Sequence, residues 1–378
     1  MNIVVDLRAL AGNKISGVKI YLISLLEEIF QIDKKNQYFL WWNSATENFP
    51  RNLKIPRSSR FKIIYTKFSN RILNFKLTFA NSPKIDELIF KKIGLRPQIF
   101  WLPDPRPIVL SKNCRLVATI HDLSSTIHPE FFSWKTRIWH YFLDSKKIAY
   151  TANRILTVSN STKNDLEKIW KISSEKITVT PLSAAENLKR TSTALVRKKY
   201  SLPPKFALSL STLEPRKNLM MLIHAFTKFK KESNSSVELV LAGNFDCKIF
   251  ANPKIHMRNF VKILGEIPES EKSALLSAAE VFCFPSIYEG FGIPLLEAMK
   301  CGTSVLAADI PALREIGGDA AKFLPPKNID KWEFALQEIF TNESLRKDLI
   351  KRGLAQSKKF SWRKTAQLTL ASFEDAVK

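Results

Sequence analysis

Short apolar runs that do not alternate with polar residues recur along this chain, and most of them end in a loop that leads into a helical pattern. Such runs are typical of parallel strands, which are buried on both faces of a sheet. Strands that alternate with helices in this way predict doubly wound α/β architecture. The runs lie at residues 3–7, 116–120, 154–158, 177–181, 206–210, 238–243, 261–265, 281–284 and 303–307.

Two domains are predicted from the spacing of these runs. A polar stretch at residues 183–197 separates two series of strands, which places the domain boundary near residues 183–203. We assign residues 1–190 to an N-terminal domain and residues 200–360 to a C-terminal domain. A helical pattern at residues 361–378 follows the second predicted core. The 378 residues, 45% of them hydrophobic, are enough for two cores of ordinary size.

A motif with two glutamates follows the predicted strand at residues 281–284. Glu289 and Glu297 are separated by seven residues and by a Gly-Phe-Gly turn. Gly290 and Gly292 allow a tight turn and a close approach of the backbone to a ligand. Pro294 suits the first turn of a helix, where its missing N–H costs nothing.

The start of that helix suggests what the motif binds. Free N–H groups and the positive end of the helix dipole attract an anion, most naturally a phosphate. Glu297 in the first turn is suited to accept hydrogen bonds from sugar hydroxyls, as acidic residues do in dinucleotide folds. The motif therefore predicts a sugar-nucleotide site. The alternative is an ordinary strand-loop-helix unit with solvated glutamates.

Polar groups follow other predicted strands. Arg216 and Lys217 lie just before an apolar helical pattern at residues 219–229, where two cations beside free N–H groups can bind a diphosphate. A basic pair without a ligand is disfavoured there, because cations oppose the helix dipole. His121 and Asp122 end another strand, at the edge of the sheet where ligands of α/β folds collect.

The two-glutamate motif resembles the acidic motif of the retaining glycosyltransferases of family 4. The resemblance implies the GT-B fold: two Rossmann-like doubly wound domains that face each other across a cleft, with a C-terminal helix that crosses back to the N-terminal domain. It also implies that Glu289 contacts the donor sugar and Glu297 takes the ribose hydroxyls. The residues between them join the expected nucleotide site, namely Gly290, Phe291, Gly292 and Ile293.

The remaining site residues are assigned by the same resemblance. Lys217 matches the family's lysine on the leaving diphosphate, whereas Ser211-Thr212 stands where the family usually has Gly-Arg. Arg216 is the expected substitute for that arginine, and Thr212 is an expected donor contact. His121 resembles the family histidine that contacts the donor sugar or its phosphate. Gly17 resembles the first loop of the family, near the acceptor and the diphosphate, and is favoured over Gly12.

The expected activity is retaining transfer of a sugar from a nucleotide diphosphate sugar to a glycan or a lipid-linked saccharide. Residues 117–129 and the Glu-Pro-Arg-Lys-Asn sequence at 214–218 look most like the mannosyltransferases that build bacterial surface polysaccharides from GDP-mannose. The N-terminal domain would then bind the acceptor and the C-terminal domain the donor. The sequence has no Asp-x-Asp motif and no His/Asp cluster with the spacing of metal ligands. We therefore expect metal-independent catalysis. The resemblance implies that the acceptor attacks on the same face of the sugar from which the leaving group departs, with the leaving phosphate as base.

The charge of the chain leaves other functions open. Basic residues outnumber acidic ones by 59 to 35, and residues 1–190 hold 31 of the basic and 15 of the acidic residues. Nucleic acid, anionic lipid and phosphorylated substrates all suit such a field. The sequence shows no recognisable motif for binding nucleic acid, so we do not expect nucleic acid as a partner. A non-catalytic sugar-nucleotide or nucleic-acid-binding protein, or a phosphorylase or synthase of the same fold, remains the alternative.

The place of action is predicted from three features. The apolar runs are all shorter than a membrane span and the first residues lack a basic leader, so we expect a cytoplasmic protein. The scattered cysteines predict reduced core residues. Residues 60–79 interleave basic and apolar residues, with one helical face shared by Phe68, Ile72, Phe75 and Phe79. This segment is either a core strand and helix or a surface that lies on the inner face of the plasma membrane.

Overall fold

The chain forms two compact units. The computed structural model describes residues 1–12, 16–45, 49–50, 53–212, 214–233, 235–243 and 259–378. Residues 1–182 and 362–378 make the first unit, and residues 183–361 make the second. The last helix therefore belongs to the first unit, as the fold prediction requires.

The first unit is built on a sheet in which its described residues form seven parallel strands, in the order β3-β2-β1-β4-β5-β6-β7. The order reverses between β1 and β4, which is where open α/β sheets bind ligands. Most strands are buried along nearly their whole length, as expected for strands covered by helices on both faces. They are β1 (Asn2–Asp6), β2 (Gln37–Asn43), β3 (Phe61–Thr66), β4 (Ile99–Leu102), β5 (Arg115–Ile120), β6 (Arg154–Thr157) and β7 (Ile177–Val179).

The helices of the first unit connect these strands, and the last of them follows the whole second unit in the chain. They are α1 (Gly17–Ile32), α2 (Asn70–Phe79), α3 (Ile85–Ile93), α4 (Ser124–Ile127), α5 (Trp134–Leu143), α6 (Ser145–Thr151), α7 (Asn160–Ile169) and α15 (Trp362–Val377).

Helix α15 completes the core of the first unit. It packs on α1 and on strands β4 to β7. Phe373 is fully buried, and its ring centre lies 5.6 Å from that of Trp101. The hydroxyl of Thr365 donates a hydrogen bond to the carbonyl of Pro181, which ties the helix to the end of the sheet.

The described residues of the second unit form six parallel strands in the order β10-β9-β8-β11-β12-β13, and the order reverses between β8 and β11. The strands are β8 (Phe206–Leu210), β9 (Glu238–Ala242), β10 (Val261–Gly265), β11 (Val281–Phe284), β12 (Ser304–Ala308) and β13 (Lys322–Leu324). The described helices are α8 (Ala194–Lys199), α9 (Leu219–Ser233), α10 (Glu269–Ala278), α11 (Ile293–Lys300), α12 (Pro311–Gly317), α13 (Ile329–Thr341) and α14 (Glu343–Ser357).

Two sequence predictions have mixed outcomes. The cysteines at 114, 283 and 301 are unpaired and buried, as predicted, whereas Cys247 lies outside the described residues. The core interpretation of residues 60–79 holds for β3 and for the side of α2 that carries Leu73 and Leu77. It is wrong for the opposite face, where the side chains are exposed to solvent: Phe68, Ile72, Phe75 and Phe79.

We expect Phe373→Ala to lower the free energy of unfolding of the first unit by about 3–5 kcal/mol, because it leaves a cavity against Trp101. Denaturant unfolding followed by tryptophan fluorescence measures this. Val377→Ala, on the same helix at a position 38% exposed, is the control and should change stability little. Equal effects of the two variants would contradict the packing of α15 on the sheet.

Candidate active site

The candidate site of the second unit lies where the order of its strands reverses. Strand β8 pairs directly with β11, so the loops that follow these strands leave the same edge of the sheet side by side. Arg216 and Lys217 follow β8 in a short 3-10 turn, and Glu289 follows β11. Ligands of open α/β sheets bind at this kind of position.

Glu289 holds the two cations together. The ammonium of Lys217 donates to one carboxylate oxygen at 2.5 Å, and the guanidinium of Arg216 donates to the other at 2.9 Å. Arg216 also donates to the carbonyl of Tyr288 at 2.9 Å and to the carboxylate of Glu214 at 2.7 Å. We refer to Arg216, Lys217 and Glu289 as the ion cluster.

Burial sets the electrostatics of the ion cluster. Desolvation alone would raise the pKa of Glu289, but the charges of Arg216 and Lys217 outweigh it and lower the pKa to about 2. Desolvation and the neighbouring Arg216 lower the pKa of Lys217, although Glu289 opposes them. The two cations are thus paired with two carboxylates in this site, those of Glu214 and Glu289.

The turn that carries the cations is anchored by Asn218. This residue has a left-handed backbone, with φ of 55°, and ends the 3-10 turn just before α9. Its side-chain amide donates to the carbonyls of Pro285 at 3.2 Å and Pro326 at 2.6 Å. In addition, the N–H of Ile287 donates to the carbonyl of Arg216 at 2.9 Å. The two loops are therefore fixed to each other through their backbones.

Glu297 lies on the next helix in a second ion pair. It is 3% exposed, and the ammonium of Lys272 on α10 donates to its carboxylate at 2.9 Å. Lys272 also contacts Glu269 at 2.8 Å. Desolvation raises the pKa of Glu297, and the charge of Lys272 only partly offsets this. The pair keeps a buried carboxylate in place within α11. The first turn of this helix holds no acidic residue, so Glu297 lies further along the helix than the sequence predicted.

The turn between the two glutamates requires one glycine for its conformation. Gly292 precedes α11 with φ of 108°, and a Cβ there would lie 2.5 Å from the Leu313 side chain. No positive φ is found at Gly290. Phe291 is buried against Phe360, so only its backbone can face a ligand. Ile293 is the first residue of α11.

Thr212 occupies the loop after β8, on the way to the ion cluster. Its side chain is exposed, and its carbonyl accepts a hydrogen bond from the N–H of Glu214 at 3.0 Å. The structure thus places Thr212 in the same loop as Arg216, where its hydroxyl is open to solvent. Its expected role as a donor contact stays a prediction.

In the first unit, His121 lies at the end of β5 and is oriented by two contacts. Its Nε2 is 2.9 Å from the carbonyl of Pro103, so Nε2 carries the proton there and Nδ1 is an acceptor when the ring is neutral. The ring of Tyr21 packs edge-on against it, at a centroid distance of 4.8 Å. Tyr21 lies one turn after Gly17 on α1, and a Cβ at Gly17 would meet no atom within 4 Å.

The structure brings the predicted residues into two groups. Arg216, Lys217 and Glu289 are in direct contact, with Glu297 on the helix that follows, while His121 and Gly17 belong to the first unit. Sequence reasoning missed Lys272 and Glu214. The three-residue step from Glu269 to Lys272 in a helical pattern was a signal for the former, but its pairing with Glu297 depends on how α10 and α11 pack.

The described residues contain neither a metal-binding cluster nor a membrane-spanning helix. No group of three or more His, Cys, Asp or Glu side chains in the described part of the chain is arranged to hold a metal ion. Among the same residues, no helix is both long and apolar enough to cross a membrane.

Comparison with known proteins identifies the family. The family model of glycosyltransferase family 4 matches residues 17–183, and that of glycosyl transferases group 1 matches residues 193–356. The O-antigen chain mannosyltransferase B of Escherichia coli is 30% identical over 273 residues, which cover 69% of this chain and 70% of that protein. The chain belongs to the family 4 glycosyltransferases.

Other relatives of this family 4 glycosyltransferase differ in length. The serotype-specific mannosyltransferase WbdA of Escherichia coli is 28% identical over 270 residues, but these make up only 33% of that protein. HepE from Anabaena, solved in complex with UDP and glucose, superposes with a TM-score of 0.73 at 17% identity, covering 99% of this chain and 100% of that chain. The fold is GT-B, as the acidic motif predicted.

The charge of Glu289 has a testable effect on stability. Because its folded pKa of about 2 lies below the ordinary 4.5, its ionised form stabilises the fold above pH 4.5, and this stabilisation is lost as the pH falls toward 2. The shift corresponds to an energy on the order of 3 kcal/mol at neutral pH. We expect Glu289→Gln to cost most stability near neutral pH and progressively less between pH 4.5 and 2.

Urea unfolding of both proteins across this pH range measures the difference. Glu266→Gln, at an exposed position of the same unit, is the control and should track the wild type at every pH. A stability difference between wild type and Glu289→Gln that does not change with pH would contradict the ion cluster.

Proposed function

We propose that this family 4 glycosyltransferase transfers mannose from GDP-mannose, with retention of anomeric configuration, to a glycan or lipid-linked saccharide in polysaccharide biosynthesis. The ion cluster carries the proposal, because it places two cations and a carboxylate at the reversal of strand order in the second sheet. A diphosphate with its attached sugar matches that combination of charges.

The donor is proposed from the relatives. Two of the proteins named above are mannosyltransferases by name, and one makes an O-antigen chain. The structural relative HepE binds UDP and glucose, so the fold also accepts another base and sugar. The Glu-Pro-Arg-Lys-Asn sequence at 214–218, which resembles that of surface-polysaccharide mannosyltransferases, favours GDP-mannose.

In the proposed reaction, Arg216 and Lys217 bind the diphosphate and stabilise the charge that develops on it as the bond to the sugar breaks. Glu289, held ionised by the same two cations, contacts the hydroxyls of the donor sugar. The acceptor hydroxyl attacks from the face that the diphosphate leaves, and a leaving phosphate oxygen takes its proton. The new bond to the anomeric carbon forms on the same face on which the bond to the diphosphate breaks, so the configuration is retained.

The nucleotide is held further along the same motif. Glu297 accepts hydrogen bonds from the ribose hydroxyls, and Lys272 keeps its carboxylate oriented. The backbone of residues 290–293 leads into the start of α11, whose N–H groups face the phosphates in this proposal. Thr212 adds a hydroxyl from the loop after β8.

The first unit is proposed to bind the acceptor. His121 is held by Pro103 so that Nδ1 can accept a hydrogen bond from the sugar or its Nδ1–H, when protonated, can donate to phosphate. Gly17, at the start of α1, has open space where a side chain would project. We place the enzyme in the cytoplasm, peripheral to the inner face of the plasma membrane, where lipid-linked acceptors are found.

Catalysis is proposed to need no metal. In that case Arg216 and Lys217 supply the positive charge that a divalent ion would otherwise bring to the diphosphate. Calorimetric titration with GDP, UDP, ADP and their sugar conjugates, in buffer with a chelator, tests both the donor and this point.

We expect GDP and GDP-mannose to bind most tightly, with affinity lowered at least about tenfold in Lys217→Ala, because a charge-assisted contact to phosphate is lost. Lys231→Ala, an exposed lysine on α9, is the control and should bind like the wild type. Preference for UDP or ADP would overturn the assignment of GDP. Absence of nucleotide binding, together with salt-sensitive binding to DNA or RNA, would overturn the enzyme proposal.

Substitutions of Glu289 and Glu297 should affect different kinetic quantities. We expect Glu289→Gln to lower kcat about a hundredfold or more while the donor Kd changes little, because Glu289 acts at the reacting sugar. Glu297→Gln should instead weaken donor binding by roughly tenfold to a hundredfold, through loss of charged hydrogen bonds to ribose.

Glu269→Gln is the matched control for Glu297, since both carboxylates contact Lys272 and Glu269 is 48% exposed. It should leave kcat and donor affinity unchanged. Full activity in a folded Glu289→Gln enzyme would remove Glu289 from the reaction, and unchanged donor affinity in Glu297→Gln would remove the ribose role.

A further inference from the structure

Helix α5 contributes no buried residue to the fold, although much of its sequence is apolar. None of its 10 residues is buried. Trp134 is 65% exposed and Tyr141 is 80% exposed. The other large apolar side chains on this helix are also exposed, namely Ile138, Trp139 and Phe142. A helix with this composition and no core contact is typical of a surface that meets a partner.

Helix α2 extends the same surface. Its exposed Phe75 packs against Phe79 with 4.9 Å between the ring centres, and Phe79 lies 5.5 Å from Phe142 on α5. Phe142 in turn contacts Tyr141 at 5.7 Å. We call these four residues, Phe75, Phe79, Tyr141 and Phe142, the aromatic surface. It is continuous across two helices that are distant in sequence.

The charge around the aromatic surface is predominantly positive. Residues 60–84, which contain α2, include six basic residues and no acidic one, and residues 131–147, which contain α5, include four basic residues and one acidic, Asp144. Lys67, Arg71 and Lys76 are all exposed. Basic side chains beside exposed aromatic rings suit an anionic partner with an apolar layer beneath its charges.

A groove in the first unit opens beside the aromatic surface. Its cavity volume is about 1020 Å³, and its lining includes Leu77 of α2 together with Tyr141 and Phe142 of the aromatic surface. Four basic residues also line it, Lys112, Arg115, Lys146 and Lys147, together with the acidic Asp144. The groove therefore places further positive charge at the edge of the exposed rings.

We infer that α2 and α5 dock the first unit on an anionic lipid bilayer, with the aromatic surface in the interfacial layer and the surrounding lysines and arginines on lipid phosphates. Tyrosine and tryptophan have an apolar body and a polar tip, which suits them to this layer, and lysine stems extend through it to the headgroups. The inference rests on the proposed function in one respect, that a docked enzyme meets a lipid-linked acceptor.

Vesicle flotation of the full chain tests the docking. We expect binding to vesicles of phosphatidylcholine with one third phosphatidylglycerol, little binding to phosphatidylcholine alone, and weaker binding at high salt. The double variant Phe75→Ser/Tyr141→Ser should bind the anionic vesicles at least about tenfold more weakly, because both rings lose their apolar environment. Both side chains are exposed, so the fold should persist.

The matched control is Leu195→Ser/Phe334→Ser, which removes two side chains of similar exposure, 84% and 62%, from the second unit. It should bind vesicles like the wild type. A second variant, Lys67→Gln/Arg71→Gln/Lys76→Gln, should lose about fivefold in binding for each charge removed. Its control is Lys327→Gln/Lys331→Gln/Lys351→Gln, three exposed lysines of the second unit.

Donor binding and transfer to a water-soluble saccharide should be unchanged in all four variants. If the proposed function is wrong, donor binding and sugar transfer will not be detected. If the docking is wrong, binding to the anionic vesicles will not be detected. Wild-type affinity for anionic vesicles in the aromatic variant would overturn the inference, as would equal binding to neutral vesicles. Light scattering that shows a dimer dissociated by Phe75→Ser/Tyr141→Ser, without vesicle binding, would assign the surface to self-association instead.

Discussion

The contact of one buried carboxylate with two cations organises the second unit of this glycosyltransferase. Glu289 is fixed by Arg216 and Lys217, and its pKa of about 2 reflects their combined charge against the cost of burial. Removing Glu289 would leave the buried Lys217 without the carboxylate that it contacts, which costs more than the net stabilisation of such a cluster. The ion cluster is therefore both a structural joint between two loops and the charge arrangement that the proposed donor meets.

Contacts of the backbone around the ion cluster fix the positions of its side chains. Asn218 bridges the carbonyls of Pro285 and Pro326, and Gly292 turns the chain where any larger residue would strike Leu313. Parallel strands β8 and β11 deliver the two loops to the same edge, so the cations and the carboxylate need little further ordering. In a preorganised site of this kind, rearrangement on diphosphate binding costs less free energy.

The sequence predicted most of the strands, because buried parallel strands are apolar without alternation, but it did not predict β2, β4 or β13. The bounds of β8 and β11 match the predicted runs at 206–210 and 281–284. The contact of Lys217 with Glu289 spans 72 residues and depends on strand pairing, which one sequence does not specify. The pattern of α5 gave no prediction, and that of residues 60–79 left open whether the outward face of α2 packs in a core or lies on a surface. Apolar spacing alone does not distinguish a face that packs from one that stays exposed.

The position of α15 has a consequence for how the protein is made on the ribosome. Phe373 and Trp362 fill the core of the first unit, yet residues 183–361 are synthesised before them. Domains usually fold in the order in which they emerge, the N-terminal one first. Here the second unit can fold before α15, the last helix of the first unit, has been synthesised. Nascent-chain folding should thus run against the order of the sequence.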